Sequence, residues 1–551
     1  MTPSSPQLLS DPFLQLPTAN SVRVVWFTEF AGSEHRVAYG ENLQQTVVAT
    51  TTKLSRTRED QNSRVGEQSQ DGQVYKQPTI RDIWRHEAEV TGLTPSKRVP
   101  YRVSSVREDG KSVSSVEFTL TSNPALGTPL RILLTSDHQL KPMTAANLQQ
   151  VVKTMGRVDA VFMAGDLVNI PDRASEWFDD NRGGAFFPCL QGRASYELAK
   201  TVYQGGEIIQ HAALFPAIGN HEVMGRVGKS DSLGGEFDDA FPHAVAQQIQ
   251  QNQAETDSDR TLKDNSFNTD TYEQIFTLPK NNLGGKTYYA VTFGDVRLVV
   301  LYATNMWRSP KVAPDIRGKY QERQQDLNNP EKWGYGQVIF GAIAKGSPQY
   351  NWLAQELNSP EFGQAKYKIV MLHHPPHSLG DNIVPAYTDP VQIIDRAEDD
   401  SIKAVRYEYP READYIIGDV VPLLEAAGVQ LVFYGHSHLW NRFVSPNGTH
   451  FLETSNVGNS YGAAIGNRLR QVPAGNDKDY VAIGDPNGLE PIVPTIAPII
   501  SQDGTPLPYV ASNDITVFSI FDTLTGIVSS YRFDTRVPGS EVMKFDEFEL
   551  N

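Results

Sequence analysis

Five short runs of His, Asp and Asn each follow an apolar stretch: Ser136-Asp137-His138-Gln139, Gly165-Asp166-Leu167, Gly219-Asn220-His221-Glu222, His373-His374-Pro375-Pro376 and Gly435-His436-Ser437-His438. Imidazole, carboxylate and amide oxygen are hard or borderline metal ligands, and five strand ends would deliver them to one place. Two cations held roughly 3.5–4 Å apart form a clamp suited to hydrolysing a phosphate ester. Asp166 suits the bridge between such a pair, because a carboxylate offers two oxygens and Gly165 before it permits close backbone approach. In Gly435-His436-Ser437-His438, extended backbone would turn both imidazoles the same way. Each run also has a plain reading: a turn Asn beside a surface His, a Gly-Asp turn, a chance His pair in a loop, a structural His. Their joint placement after apolar strands favours metal binding.

Elements must carry these runs. Residues 130–135, 158–164, 214–218, 369–372 and 429–434 read as apolar strands. Thr144–Met155 sets Leu148, Val151, Val152 and Met155 on one helical face, and residues 413–427 read as a second helix. The alternation predicts a helix-flanked sheet with the ligands at its carboxyl ends. Ahead of it, residues 21–28 alternate Val22, Val24 and Trp26, and short strands are predicted at 36–39, 83–90, 99–106 and 113–120. The fold class is therefore an all-β N-terminal sandwich over 17–124, then an α/β domain over 128–551, with residues 122–129 as linker. Residues 41–79 are polar and read as an extended loop. Polar stretches near 225–275, 305–350, 378–412 and 462–512 read as lids or disordered loops. Residues 515–521 and 527–533 predict a hairpin turning at 523–526.

A chain of 551 residues predicts two or more cores, and it contains no apolar run long enough for a transmembrane segment. The net charge of −16 makes a nucleic acid polymer a poor partner. Cys189 is the single cysteine, which excludes an intrachain disulfide framework and a thiolate zinc site. Residues 1–17 lack the basic start and apolar core of a secretory signal. That predicts a cytoplasmic protein as written, or a secreted or periplasmic one if a leader was removed.

Val24-Val25-Trp26, Val37-Ala38-Tyr39-Gly40, and Gly92-Leu93-Thr94-Pro95 followed by Tyr101 resemble the fibronectin type III-like domain that precedes the catalytic domain of purple acid phosphatases. The order and spacing of the five runs resemble the calcineurin-like metallophosphoesterase superfamily and, with the sandwich in front, its purple acid phosphatase branch. That resemblance implies a four-layer α/β/β/α catalytic domain and two divalent metal ions, Zn, Mn or Fe. By matching position, Asp137 and His438 belong to the first metal, Asp166 bridges, and Asn220, His373 and His436 belong to the second. His221 matches the residue that contacts the phosphoryl group. The implied activity is hydrolysis of a small phosphate monoester by a hydroxide held between the metals. The alternatives are a phosphodiesterase on small diesters or nucleotides, and a metal-binding protein with weak or no catalysis.

Two positions depart from the superfamily pattern. Where Asp-X-His is usual, the residue two after Asp137 is Gln139. Either its amide oxygen ligates or a bulge swings His138 in; in a strand His138 would point away, and a supporting role is expected for it. Where the purple branch has a metal-binding tyrosine, this chain has Asn169, which predicts a colourless protein with divalent metals. His374 and His377 follow the fourth run, and either imidazole could protonate a leaving alkoxide, orient ligands or face solvent. Trp177, Trp307, Trp333, Tyr387 and Tyr461 lie near the long loops, where they would stack on a leaving group or pack the loop itself.

Overall fold

Strands in the C-terminal domain carry apolar side chains on both faces, so they must be covered on both. Leu298, Val300, Ile369, Met371, Leu431 and Phe433 enter one core, while their neighbours Val299, Val370, Val432 and Tyr434 enter another. A computed structural model describes residues 5–69, 74–239, 241–253, 259–283, 285–308, 317–383, 389–471, 481–537 and 539–551. These strands belong to a seven-stranded mixed sheet ordered Tyr289–Phe293, Val296–Val300, Tyr367–Met371, Leu431–Tyr434, His450–Thr454, Trp440–Val444, Tyr509–Val510. Its outer face packs on helix Pro348–Leu357 through Trp352 and Leu353. Its inner face shares a core with a larger sheet holding Arg131–Thr135, Ala160–Met163 and Ala213–Pro216 in parallel, beside the hairpin Ile515–Asp522 and Ile527–Asp534. Helix Thr144–Met155 packs against that sheet, where Asn147 donates to Thr516 Oγ1 and the Val517 carbonyl. The layers are α/β/β/α, as expected.

The N-terminal β region is a sandwich, but not a free-standing one. Its inner core of Val24, Trp26, Val37, Tyr101, Val103 and Phe118 lies between two sheets. Strand Phe13–Gln15, ahead of the expected start at 17, pairs antiparallel with Val22–Thr28 and parallel with Ala213–Pro216 through Leu14 and Ala213. One ten-stranded sheet therefore runs from the N-terminal region into the C-terminal domain. The cause is local: Val22–Thr28 is apolar on both faces, Phe27 packs on Phe178 and Phe187 of the C-terminal domain, and Val25 joins the same core.

Several expectations need correction. Residues 41–79 are not simply a loop: Gln45–Val48 and Thr50–Lys53 pair with Glu34–Tyr39 and Trp84–Val90. Beyond them Arg58, Glu59 and Asp60 are buried, each matched by an opposite charge or backbone donors from the C-terminal domain. The predicted strand at 113–120 is two strands, Ser112–Ser114 and Phe118–Leu120. The stretch 225–275 folds largely as short helices, 378–412 contains the hairpin Val391–Arg396 and Ile402–Glu408, and Thr304–Trp307 pairs with Val338–Phe340 inside 305–350. The predicted helix at 413–427 is a π-helical turn, Ile416–Val420, followed by Val421–Ala426; Pro422 has no N–H to give to residue 418, which breaks the regular ladder. A strand not anticipated, Met543–Glu549, closes the sheet edge beside Ile527–Asp534. Among the described residues no helix is long and apolar enough to cross a membrane.

Candidate active site

Each of the five runs leaves the carboxyl end of a strand, and three of them turn sharply there. Asp137, Gln139, Leu140, Asp166, His436 and His438 all have positive φ, between 35° and 84°. Non-glycine residues in that region cost of order 1 kcal/mol or more each, and such strain collects where a site demands it. This changes the reading of Gly435-His436-Ser437-His438. The strand ends at Tyr434, and the two imidazoles reach the cavity from left-handed backbone rather than by strand parity. Two glycines are dictated by proximity: a Cβ at Gly219 would overlap Asp166 Oδ1, and one at Gly435 would overlap Asp137 Oδ2 and Ser136 Oγ.

The side chains gather in two buried clusters, Asp137 with Asp166 and His438, and His373 with His374 and His436; within each, the donor atoms lie within 4.8 Å of one another. Asp166 Oδ2 joins them. It stands 3.2 Å from His373 Nε2 and 2.7 Å from the side-chain amide of Gln139. Asn220 Oδ1 is 3.2 Å from His436 Nδ1, and His438 Nε2 is 3.4 Å from Asp137 Oδ1. All six expected metal ligands are thus brought together.

Backbone carbonyls fix which ring nitrogen faces the cavity. Nδ1 of His373 donates to the Ala164 carbonyl at 2.8 Å, Nδ1 of His438 to Asn459 at 2.9 Å, and Nδ1 of His221 to Asn169 at 2.7 Å. A carbonyl only accepts, so each Nδ1 carries the proton and each neutral ring keeps a bare Nε2, as a metal-ligating histidine requires. His221 is held twice, since its backbone N–H donates to Asp166 Oδ1 at 2.9 Å. Asn169 therefore matters here through its carbonyl.

Three supporting groups were not assigned from sequence. Glu222 accepts from the backbone N–H groups of Asp166, Leu167 and Gly219 at 2.7–2.8 Å, clamping two of the runs together. Arg308 donates to the carbonyls of Asn220, Val223 and Phe237 and stacks on the Phe237 ring, fixing the third run. Glu453 accepts from Ser437 N and Ser378 Oγ beneath the fifth run. Glu222 alone had a sequence signal, being part of a run; the other two are remote in the chain and visible only once it folds.

The electrostatics fit cations. Burial opposes ionisation of Asp166, yet His373 and His221 hold it far below the usual carboxylate range. Burial also opposes a charged His373, but Asp166 and Asp137 override it and lift the imidazole to about 10. The carboxylates thus draw positive charge onto the nitrogen that faces them, the place a metal ion would take by displacing the proton. Burial pushes His436 well below its ordinary value, which keeps it neutral as a ligand must be, and its Nε2 is buried without a hydrogen bond. Burial likewise brings His221 down to about 4.

Of the remaining expected residues, His374 belongs to the second cluster and the others lie outside both. His138 is buried, bonds Thr135 Oγ1 at 2.9 Å and lies near Phe186, in neither donor cluster. His374 is buried on the second cluster, hydrogen-bonded to Thr304 Oγ1 and stacked on His436 at 3.9 Å. His377 faces Asp485 at 2.7 Å and packs on Phe451. Trp177 and Trp333 pack within the protein, each Nε1 on a backbone carbonyl. Trp307 lies edge-on to His436 at 4.4 Å, and Tyr461 stacks on His438 at 5.1 Å. Tyr387 lies outside the described residues.

The profile of the calcineurin-like phosphoesterase family matches residues 130–439, and that of the purple acid phosphatase N-terminal domain matches residues 10–122. No curated protein matches the chain. Among solved structures, the purple acid phosphatase PPD1 from yellow lupin (Lupinus luteus) seeds is 14% identical, covering 98% of this chain and 74% of its own, with a TM-score of 0.54. A structure of PhoD is 13% identical over 99% of this chain and 93% of its own, with a TM-score of 0.43. At such identity the lupin structure speaks for the fold, while the profile spans more than half of the chain. By its catalytic half the chain belongs to the calcineurin-like phosphoesterases, hydrolases of phosphoric ester bonds, and it carries a purple acid phosphatase N-terminal domain in front.

Proposed function

We propose that the protein is a metal-dependent phosphomonoesterase acting on a small phosphate ester through a dinuclear centre. The observation that carries this reading is the position of Asp166, grouped with Asp137 and His438 while its Oδ2 also stands 3.2 Å from His373 Nε2 of the other cluster. Two divalent cations, one at Asp137, Asp166 and His438 and one at Asp166, Asn220, His373 and His436, would polarise the phosphate and lower the pKa of bound water. The chain's own residues do the rest. His221 presents Nε2 to the phosphoryl group, and its two backbone anchors keep that nitrogen aimed. Phe237, 5.1 Å from its ring centroid, backs the imidazole. His374, packed flat on His436, serves the placement of that ring rather than delivery of a proton, because burial keeps it well below the ordinary histidine range.

Lys141 favours a monoester over a diester. It follows the left-handed turn through Gln139 and Leu140; burial draws its ammonium below the usual lysine value, and the charges of Asp166, Asp137 and Glu176 oppose that and favour the cation. A monoester brings one more negative charge than a diester, and an extra cation beside the phosphate site discriminates between them. The net charge of −16 separately disfavours a polyanion. The test is hydrolysis of 4-nitrophenyl phosphate and bis(4-nitrophenyl) phosphate by protein stripped of metal and reloaded with Mn, Zn or Fe. Higher kcat/KM on the monoester is expected. Diester preference would overturn the substrate class, and two bound equivalents without turnover would overturn the enzyme reading.

A further inference from the structure

Resting on the two-cation reading, we infer that Gln139 supplies its amide oxygen to the first cation, in the position where the related pattern has an imidazole. Two side chains converge on Asp166 Oδ2: His373 Nε2, assigned to the second cation, approaches it to 3.2 Å, and the amide end of Gln139 approaches it to 2.7 Å. Donor atoms at neighbouring vertices of one metal ion stand about this far apart, given metal–ligand bonds of roughly 2.0–2.2 Å. As placed, Gln139 Nε2 donates to Asp166 and leaves Oε1 buried without any hydrogen bond. Oxygen and nitrogen of an amide are assigned from the network around them. A half turn of the amide puts the oxygen at the vertex, where a cation satisfies it.

The backbone supports the same assignment. Asp137 and Gln139 both adopt positive φ, and the Gln139 N–H is anchored to the Leu167 carbonyl at 3.0 Å, so the amide is carried to the Asp166 side. His138, the imidazole nearest in sequence, is turned to Thr135 and the Phe186 ring and belongs to neither donor cluster. The first cation then has three oxygens and one nitrogen, from Asp137, Gln139, Asp166 and His438. The second has two and two, from Asp166, Asn220, His373 and His436. Oxygen-rich sets suit hard ions such as Mn²⁺ and imidazole-rich sets suit Zn²⁺, so the two positions should differ in preference.

The experiment is metal titration of the full chain by calorimetry, with equivalents retained after desalting counted by elemental analysis and folding checked by circular dichroism. Wild-type protein should bind two equivalents of Mn²⁺. Gln139→Leu should lose one of them, its affinity falling at least tenfold. Gln139→Glu should keep both, and Gln139→His should raise Zn²⁺ affinity at one position at least tenfold with a smaller gain for Mn²⁺. Gln139→Leu retaining two equivalents at unchanged affinity would overturn the inference. So would loss of a cation in Gln139→Glu, because a residue that merely donates to Asp166 cannot be replaced by a carboxylate without repulsion, whereas a ligand can. A wild-type stoichiometry of one would overturn the two-cation reading itself, and it is distinguishable because it appears before any substitution.

Discussion

Replacing Asp60, a residue of the N-terminal β region, should slow catalysis without removing metal. Asp60 is fully buried and accepts from Arg173 Nη2 at 3.1 Å and from the backbone N–H of Leu233 at 2.7 Å. Arg173 passes the restraint on: its Nη1 donates to Glu176 Oε1 at 2.8 Å, and Glu176 Oε2 accepts from Asn169 N and Ile170 N at 2.7 and 2.9 Å. The Asn169 carbonyl then receives Nδ1 of His221. Every step joins a charged group or a backbone amide, so slack at Asp60 reaches the imidazole. Removing one partner of a buried ion pair costs about 3–5 kcal/mol. Arg173 keeps Glu176, which places Asp60→Ala toward the lower end, about 3 kcal/mol, with the orphaned Leu233 N–H included. A shift of about 1 Å in a catalytic group costs on the order of 10²-fold. Partial loosening of His221 should therefore lower kcat about tenfold on the same scale, with KM little changed.

The assay is steady-state hydrolysis of an aryl monoester by Asp60→Ala and Asp60→Asn, with metal content measured on the same samples. Asp60→Asn keeps an acceptor for Leu233 and should recover much of the turnover. The decisive comparison is made in a His221→Asn background, where Asp60→Ala should cost nothing further, because the two residues act through one contact. If kcat fell equally in both backgrounds, or if metal were lost, Asp60 would be acting on the fold at large and the reasoning would be refuted.

Further outcomes follow from the same geometry. His221→Asn should lower kcat by about 10²–10³-fold while both metal equivalents remain, the scale of losing one preorganised hydrogen-bonding partner of developing charge; metal loss would make His221 a ligand instead. Lys141→Met should lower kcat/KM on a monoester at least tenfold more than on a diester, consistent with one ion-pairing charge worth about 1.4 kcal/mol; equal losses would refute its role in selection. His86 is buried, stacked on His35 at 3.6 Å and bonded to Thr28 and Thr51, and burial holds it at about 3. The unfolded chain then protonates first as pH falls below the ordinary histidine value. Wild-type stability relative to His86→Gln should accordingly drop by about 2 kcal/mol between pH 7.5 and pH 5 in denaturant melts, and a constant difference would contradict the shift. With Asn169 in place of tyrosine, iron-loaded protein should show no strong visible absorption band.

Much of the site was legible because its residues sit where strands end, and strands announce themselves by apolar runs. Arg131–Thr135, Ala160–Met163, Tyr367–Met371 and Leu431–Tyr434 were all foreseeable within a residue or two, and with them the ligands that follow. The triplet Arg58-Glu59-Asp60 misled, since three charges in a polar stretch read as a solvated loop. They are buried because Asp172, Glu236, Arg81, Ser175 and Arg173 meet them from elsewhere in the chain, and no local pattern encodes such pairing. The continuity of the large sheet was hidden for a related reason. Val22–Thr28 shows an alternation, but that its second face, Val25 and Phe27, requires a partner is clear only when Phe178 and Phe187 arrive.

The two departures at Gln139 and Asn169 make sense together as charge. Asp137 and Asp166 are the anionic donors of the two clusters; His373, His436, His438, Asn220 and Gln139 contribute none. A tyrosinate at position 169 would add a third negative charge and suit a trivalent ion, whereas an Asn side chain adds none; the backbone carbonyl that serves His221 is present with either residue. On the proposed reading, two carboxylates around two divalent cations would leave two positive charges uncompensated, and a phosphate monoester near neutral pH carries two negative ones. On the proposed reading Lys141, its charge favoured by Asp166 and Asp137 although burial opposes it, would tilt the balance toward binding the dianion rather than holding a harder metal. Restoring Tyr at Asn169 should therefore tighten binding of ferric iron and weaken inhibition by inorganic phosphate, measured as a Ki raised at least threefold. An unchanged Ki would mean that the site does not select its substrate by net charge.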